Sequence, residues 1–202
     1  MTSPLKKKSC ARRLPLSSKV SKLVSTYRQH LTVPWQAGLA AVQRVIFAVY
    51  DKSDELRLRA NAEEFALVTR QAGKQWLLMD VTNAFPQWMS DQEYRDAYFE
   101  SPEDLAGFQT GELCEFVADL IAQLKTRIVA EATPDTVVAL LGVGSLFGLA
   151  RVSSIVEGIK DAVPGRLLVF FPGEHHPENH TYRLLDARDG WNYLAVPLLA
   201  TE

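Results

Sequence analysis

Three carboxylates stand at the ends of predicted strands: Asp51, Asp80 and Glu174. Carboxylate oxygens of this kind hold Mg²⁺, and a bound Mg²⁺ supports phosphoester hydrolysis, so one reading of the chain is a metal-dependent phosphoesterase or nuclease. The same residues also have structural uses, with Asp51 capping a helix, Asp80 accepting bonds within a turn and Glu174 pairing with an arginine of the following hairpin. A second candidate is residues 142–148, Gly-Val-Gly-Ser-Leu-Phe-Gly, between an apolar strand and a helix, where backbone amides can hold an anion. A Walker loop requires Gly-Lys-Ser/Thr where this chain has Gly148-Leu149-Ala150. A dinucleotide fingerprint requires a small residue where Phe147 stands. The segment therefore reads as a tight strand-to-helix turn, with Ser145 as N-cap and Phe147 exposed or covered by a partner. His175, His176 and His180 with Glu174 and Glu178 carry zinc-ligand chemistry, at a spacing that matches no helical or hairpin ligand set. There is no nucleophile elbow and no Glu-His helix motif. The expectation is a non-enzyme with no metal site and no cofactor.

The elements that must position these residues follow from periodicity. Val20, Leu23, Val24, Tyr27 and Leu31 keep helical spacing behind a Ser17 or Ser18 cap, up to Pro34. Residues 45–50 read as a buried strand, followed by one long amphipathic helix from a Ser53 cap to Gly73, carrying Leu58, Ala62 and Phe65 on one face. Residues 76–81 form the next strand. The middle reads as a helical insert, with Ser90 and Glu93 as a capping box and a stripe at Leu113, Phe116, Val117, Leu120, Leu124 and Ile128. Strands at 137–141 and 167–171 flank a helix with Val152, Val156 and Ile159. Short strands at 182–185 and 193–196 join through the Asp189-Gly190 turn.

This alternation gives an α/β fold: a single Rossmann-like domain whose mainly parallel sheet is covered by helices on both faces, with antiparallel edge strands near the C-terminus. Asp51, Asp80, the Gly142 turn and a turn at Phe171-Pro172-Gly173-Glu174 are then expected to face one crevice at the C-terminal ends of the strands.

Composition bounds the rest. At 202 residues, 47% hydrophobic and 23% charged, the chain suits one globular core. The longest uncharged stretch, 136–150, is shorter than the roughly 20 residues of a membrane helix, and no apolar run follows the N-terminal lysines as a secretory signal requires. The expected location is cytoplasmic. Cys10 and Cys114 read as two free thiols.

Nine Lys/Arg and no Asp/Glu precede Asp51, whereas the remainder carries thirteen Lys/Arg against twenty-four Asp/Glu. Residues 1–17 therefore form a basic arm, outside an α/β domain at 18–202. Its Lys6, Lys7, Lys8, Arg12 and Arg13 can contact nucleic-acid phosphates through charge alone, which makes a DNA-contacting adaptor another reading. The acidic body argues against a broad duplex-binding face.

The residues Phe170-Phe171-Pro172-Gly173-Glu174, the segment 182–197 (Tyr-Arg-Leu-Leu-Asp-Ala-Arg-Asp-Gly-Trp-Asn-Tyr-Leu-Ala-Val-Pro) and the segment 136–148 resemble the BrxB family, the small subunit of BREX bacteriophage-exclusion systems. Pro34-Trp35-Gln36, 43–51 and 94–99 extend the resemblance from about Val20 to the end. It implies a subunit or adaptor of an anti-phage complex that supports phage restriction and host DNA methylation. The partners it implies are other BREX proteins, foremost the PglZ-like subunit of the alkaline-phosphatase superfamily. On an edge strand rich in arginine and aromatics, the expected docking residues are Phe171, Pro172, Gly173, Glu174, Arg183, Arg188, Trp191 and Tyr193.

Overall fold

A computed structural model describes residues 18–36, 38–93, 95–101, 112–178, 181–185, 191–192 and 195–200, with the backbone alone for 18, 98, 99, 112, 191 and 192. The basic arm with Lys6, Lys7, Lys8, Arg12 and Arg13 lies outside these residues, as do Arg188 and Tyr193.

Helix α1 (Ser18–Thr32) buries Val20, Leu23, Val24, Tyr27 and Leu31, the positions its 3.6-residue period places on one face. Strand β1 (Val45–Tyr50) is buried throughout. Where one long helix is expected, the chain makes a short 3₁₀ turn, α2 (Glu55–Ala60) and α3 (Ala62–Gln71). The break falls at Asn61, which leaves helical geometry at φ −115° and whose side-chain amide donates to Arg57 O at 2.8 Å beside its own backbone N–H. Strand β2 (Gln75–Asp80) leads into α4 (Ala84–Ser90), α5 (Arg95–Glu100) and α6 (Glu112–Glu131). Ser90 ends α4 and its hydroxyl donates to Gln87 O, so it does not open a capping box. Strand β3 (Thr136–Leu141) is buried along its whole length, and α7 (Val152–Ile159) starts only after a 3₁₀ turn and a further turn.

The largest departure from expectation is β4 (Arg166–His176), which runs straight through Pro172-Gly173-Glu174. Its first half pairs in parallel with β1 and β3. Its second half pairs in antiparallel fashion with β5 (Thr181–Leu184), which in turn pairs with β6 (Trp191–Asn192). The last strand, β7 (Val196–Leu198), lies later than the expected 193–196 and pairs in parallel with β1. The main sheet is thus parallel in the order β2-β3-β4-β1-β7, with β5 and β6 attached to the extension of β4.

Alternation along the strands divides the core between the two sheet faces. Phe47, Val49, Leu140, Val169 and Phe171 pack under α4, α6 and α7. Ile46, Ala48, Ala139 and Phe170 pack under α1, α2 and α3. The fold is mixed α/β, with a mostly parallel sheet flanked by helices on both faces. Among the described residues no helix is long and apolar enough to cross a membrane.

Candidate functional site

Four parallel strands bring their C-terminal ends to one edge, and a cleft of about 380 Å³ opens there. Lys52 and Arg59 follow β1, Thr82 follows β2, Gly142 and Ser145 follow β3, and Pro172 lies within β4. The polar groups here are engaged with one another. Arg59 donates to Asp80 Oδ2 at 2.9 Å and contacts Glu55 Oε1 at 3.4 Å. The same amino group that donates to Asp80, Nη2, also reaches Thr82 Oγ1, while the Thr82 amide donates to Asp80 Oδ1 at 2.9 Å. Tyr50 donates its phenol hydrogen to Glu55 Oε2. A chain of bonds therefore crosses the cleft floor from the end of β1 to the end of β2.

Gly142 makes that crossing possible. Its φ of +86° lies in the left-handed region, and a Cβ there would stand 2.3 Å from Thr82 Oγ1 and 2.9 Å from Asp80 Oδ1. A side chain at this position would push Thr82 and Asp80 out of the network. Ser145 is not an N-cap: its hydroxyl donates to Gly142 O at 2.8 Å. The Ser145 and Phe147 amides donate to Gly142 O and Gly144 O, so they are not free to hold a phosphate.

Burial would raise the Asp80 carboxyl, but hydrogen bonds from Thr82 and the Arg59 guanidinium outweigh it and hold the group below the ordinary carboxylate range. A depressed folded-state value stabilises the protein above the unfolded value of about 3.9, and that stabilisation is lost as pH falls through the folded value. Asp80→Asn should therefore lower the Tm at pH 7 and flatten its decline as the pH falls below the unfolded value of about 3.9. A thermal-unfolding series across that window checks this, and parallel acid limbs for the two proteins would contradict it.

The three carboxylates do not assemble. Asp51 caps the 3₁₀ turn, accepting from the Ser53 amide at 2.8 Å and from the Ser53 hydroxyl, bonds that hold its carboxyl low. Asp51 and Glu174 line one cavity of about 510 Å³ with Lys19 and Lys22. Asp80 stands three inter-strand steps from β1, roughly 14 Å, whereas Mg²⁺ binds its ligands at about 2.1 Å. One ion therefore cannot reach all three. The histidines separate too, since alternation along β4 puts His176 beside Glu174, at 3.6 Å, and turns His175 toward Tyr182. His180 lies outside the described residues, among which no cluster of three His, Cys, Asp or Glu could hold a metal ion.

The expected docking residues divide as well. Phe171 is a core residue, 1% exposed and stacked on Phe47 at 5.3 Å. Pro172 lines the strand-end cleft. Gly173 and Glu174 lie on the β4 extension, and Arg183 sits opposite Glu174 in the β4–β5 register. Trp191 pairs through its backbone with Tyr182. Trp88, on α4, is buried and donates its indole N–H to Asp119 at 2.9 Å.

Sequence reasoning missed Leu56, Arg59 and Leu185. Leu56 is 77% exposed and lines the cleft; its signal was a leucine off the apolar face set by Leu58, Ala62 and Phe65. Leu185 also lines the cleft and takes φ +52°, a left-handed conformation that costs a leucine about 1–2 kcal/mol. Its amide donates to Pro172 O at 2.9 Å, which ties the strained residue to β4. Phe147, 45% exposed, projects from the turn that follows β3.

No family model, curated protein or solved structure matches this chain.

Proposed function

We propose that this chain is a non-enzymatic docking subunit of a Rossmann-like fold, and that it uses the strand-end cleft to hold a larger protein. One observation carries the reading: Arg59, Asp80 and Thr82 satisfy one another at the cleft, while Leu56 in its lining and Phe147 on the turn that follows β3 remain exposed. An apolar opening whose polar groups already have partners favours burial of a complementary apolar surface. The strain at Leu185 supports the same site, because strained backbone tends to gather at binding surfaces. Glu174 and Arg183, on the β4–β5 extension, would form a charged rim.

The resemblance to the BrxB family supports an identity for the partner, the PglZ-like subunit of a BREX defence complex working in phage restriction and host DNA methylation. In that setting the protein acts in the cytoplasm. Size-exclusion chromatography of the two purified proteins, mixed at about 50 μM, tests the pairing. The expected result is one co-eluting complex, and two separate peaks would end this reading.

A further inference from the structure

At the opposite edge of the sheet, where the strands begin, Arg44 precedes β1, Lys74 precedes β2, Asp135 precedes β3 and Arg166 opens β4. With Trp35 they wall a cavity of about 410 Å³. Arg166 is only 8% exposed, yet among the described residues no carboxylate pairs with it. Its guanidinium lies over the Trp35 ring, 4.8 Å from the centroid, and makes one long bond to Gly165 O at 3.4 Å. Arg44 donates one amino group to Val163 O at 2.7 Å and Pro164 O at 2.9 Å. Its buried Nε has no partner among the described residues. Lys74 sits 4.4 Å from the Trp35 centroid and is bonded to Asp135 at 2.5 Å.

Three cations against one carboxylate leave a surplus of two positive charges around the cavity. His30 adds none near neutral pH, because burial and then the charge of Arg166 push its imidazole below the ordinary range. Burial, and after it the charge of the neighbouring Arg44, lower the Arg166 guanidinium from its ordinary value. A buried cation without a counter-ion is unfavourable, and two together more so. Guanidinium forks match the oxygens of a phosphate, and a phosphomonoester carries about two negative charges at neutral pH. The cavity also falls within the size range of small-molecule sites.

We propose that this cavity binds the phosphate group of a small phosphomonoester, held by Arg44 and Arg166, with Lys74 at the rim and Trp35 as an apolar wall. The site lies at the far edge of the sheet from the docking cleft and stands independently of it.

The test is thermal unfolding and calorimetric titration of the full chain with inorganic phosphate, glycerol phosphate or succinate, against chloride at matched ionic strength. Phosphate at about 10 mM should raise the Tm by about 5 °C, glycerol phosphate by at least as much and succinate by less. Arg166→Met should weaken phosphate binding roughly 10- to 150-fold and remove the rise. In chloride this variant should unfold at the same or a higher temperature, because an unpaired buried charge has gone. If Arg166→Met does not fold, Arg44→Gln carries the same expectation for binding. A wild-type protein without a phosphate-specific rise, succinate as effective as phosphate, or a rise unchanged in these variants would overturn the proposal.

Discussion

Gly173→Ala should detach β5 from the extension of β4 and abolish partner binding. A Cβ at Gly173 would stand 2.0 Å from Arg183 O and 3.0 Å from Phe171 Cε1. The first of these is a backbone atom within the antiparallel ladder, where Gly173 faces Leu184 and Glu174 faces Arg183, so no side-chain rotation relieves the contact. The ladder has to open, at a cost of about 3 kcal/mol, the upper end for overpacking. Opening it also moves Leu185, whose amide donates to Pro172 O and which lines the strand-end cleft with it. Hydrogen exchange at the amides of 173–176 and 181–184 reads the first effect, and titration of the PglZ-like subunit reads the second. Native-like protection with normal binding would show that the β4–β5 pairing does not shape the site.

Phe171→Ala should destabilise the whole fold rather than act at the surface. Phe171 stacks on Phe47 and meets Tyr182 edge-on at 5.8 Å, while Phe47 and Tyr182 lie 4.8 Å apart, so three rings close over one another. Tyr182 fixes its end of the cluster by donating to Ala195 O at 3.0 Å. Removing a fully buried phenyl ring leaves a cavity and costs about 3–5 kcal/mol, a large part of the 5–15 kcal/mol that typically separates folded from unfolded protein. Urea unfolding should show a midpoint shift of that size with an unchanged slope. A loss below about 1 kcal/mol, together with lost partner binding, would return Phe171 to the docking surface.

Strands β1 and β3 were legible because an apolar run buried on both sheet faces has few other uses. α1 and α6 were legible from spacing, since Leu23, Tyr27, Phe116 and Ile128 sit where a helical period puts the core. The β4 extension was not. Pro172 and Gly173 are turn residues by composition, and only the change from parallel to antiparallel neighbours makes room for them inside a strand. Pro172 has no N–H to contribute, but its carbonyl still accepts from Leu185. The break at Asn61, where the backbone turns to φ −115° and the side chain adds a second bond to Arg57 O, is encoded by no periodicity.

The candidate sites were legible in part. A strand-end crevice with Gly142 at its centre follows from the alternation of elements. The Arg59–Asp80 bridge does not, because it spans 21 positions and depends on the order in which the strands pair. That order also separates Asp80 from Asp51, which are equivalent in the sequence as carboxylates at the end of a strand. Arg166 offered no sequence signal, since an arginine after Pro164-Gly165 reads as exposed until Trp35 covers it.

The most direct test is calorimetric titration of the purified PglZ-like subunit into the wild-type chain and into the Leu56→Asp, Phe147→Asp double variant. Both replaced side chains are exposed, at 77% and 45%, so the variant should fold with nearly unchanged Tm. If the cleft is the docking surface, the wild type binds and the variant binds on the order of 100-fold more weakly, because each aspartate puts a charge where apolar surface should be buried. A folded double variant that binds with wild-type affinity would contradict it.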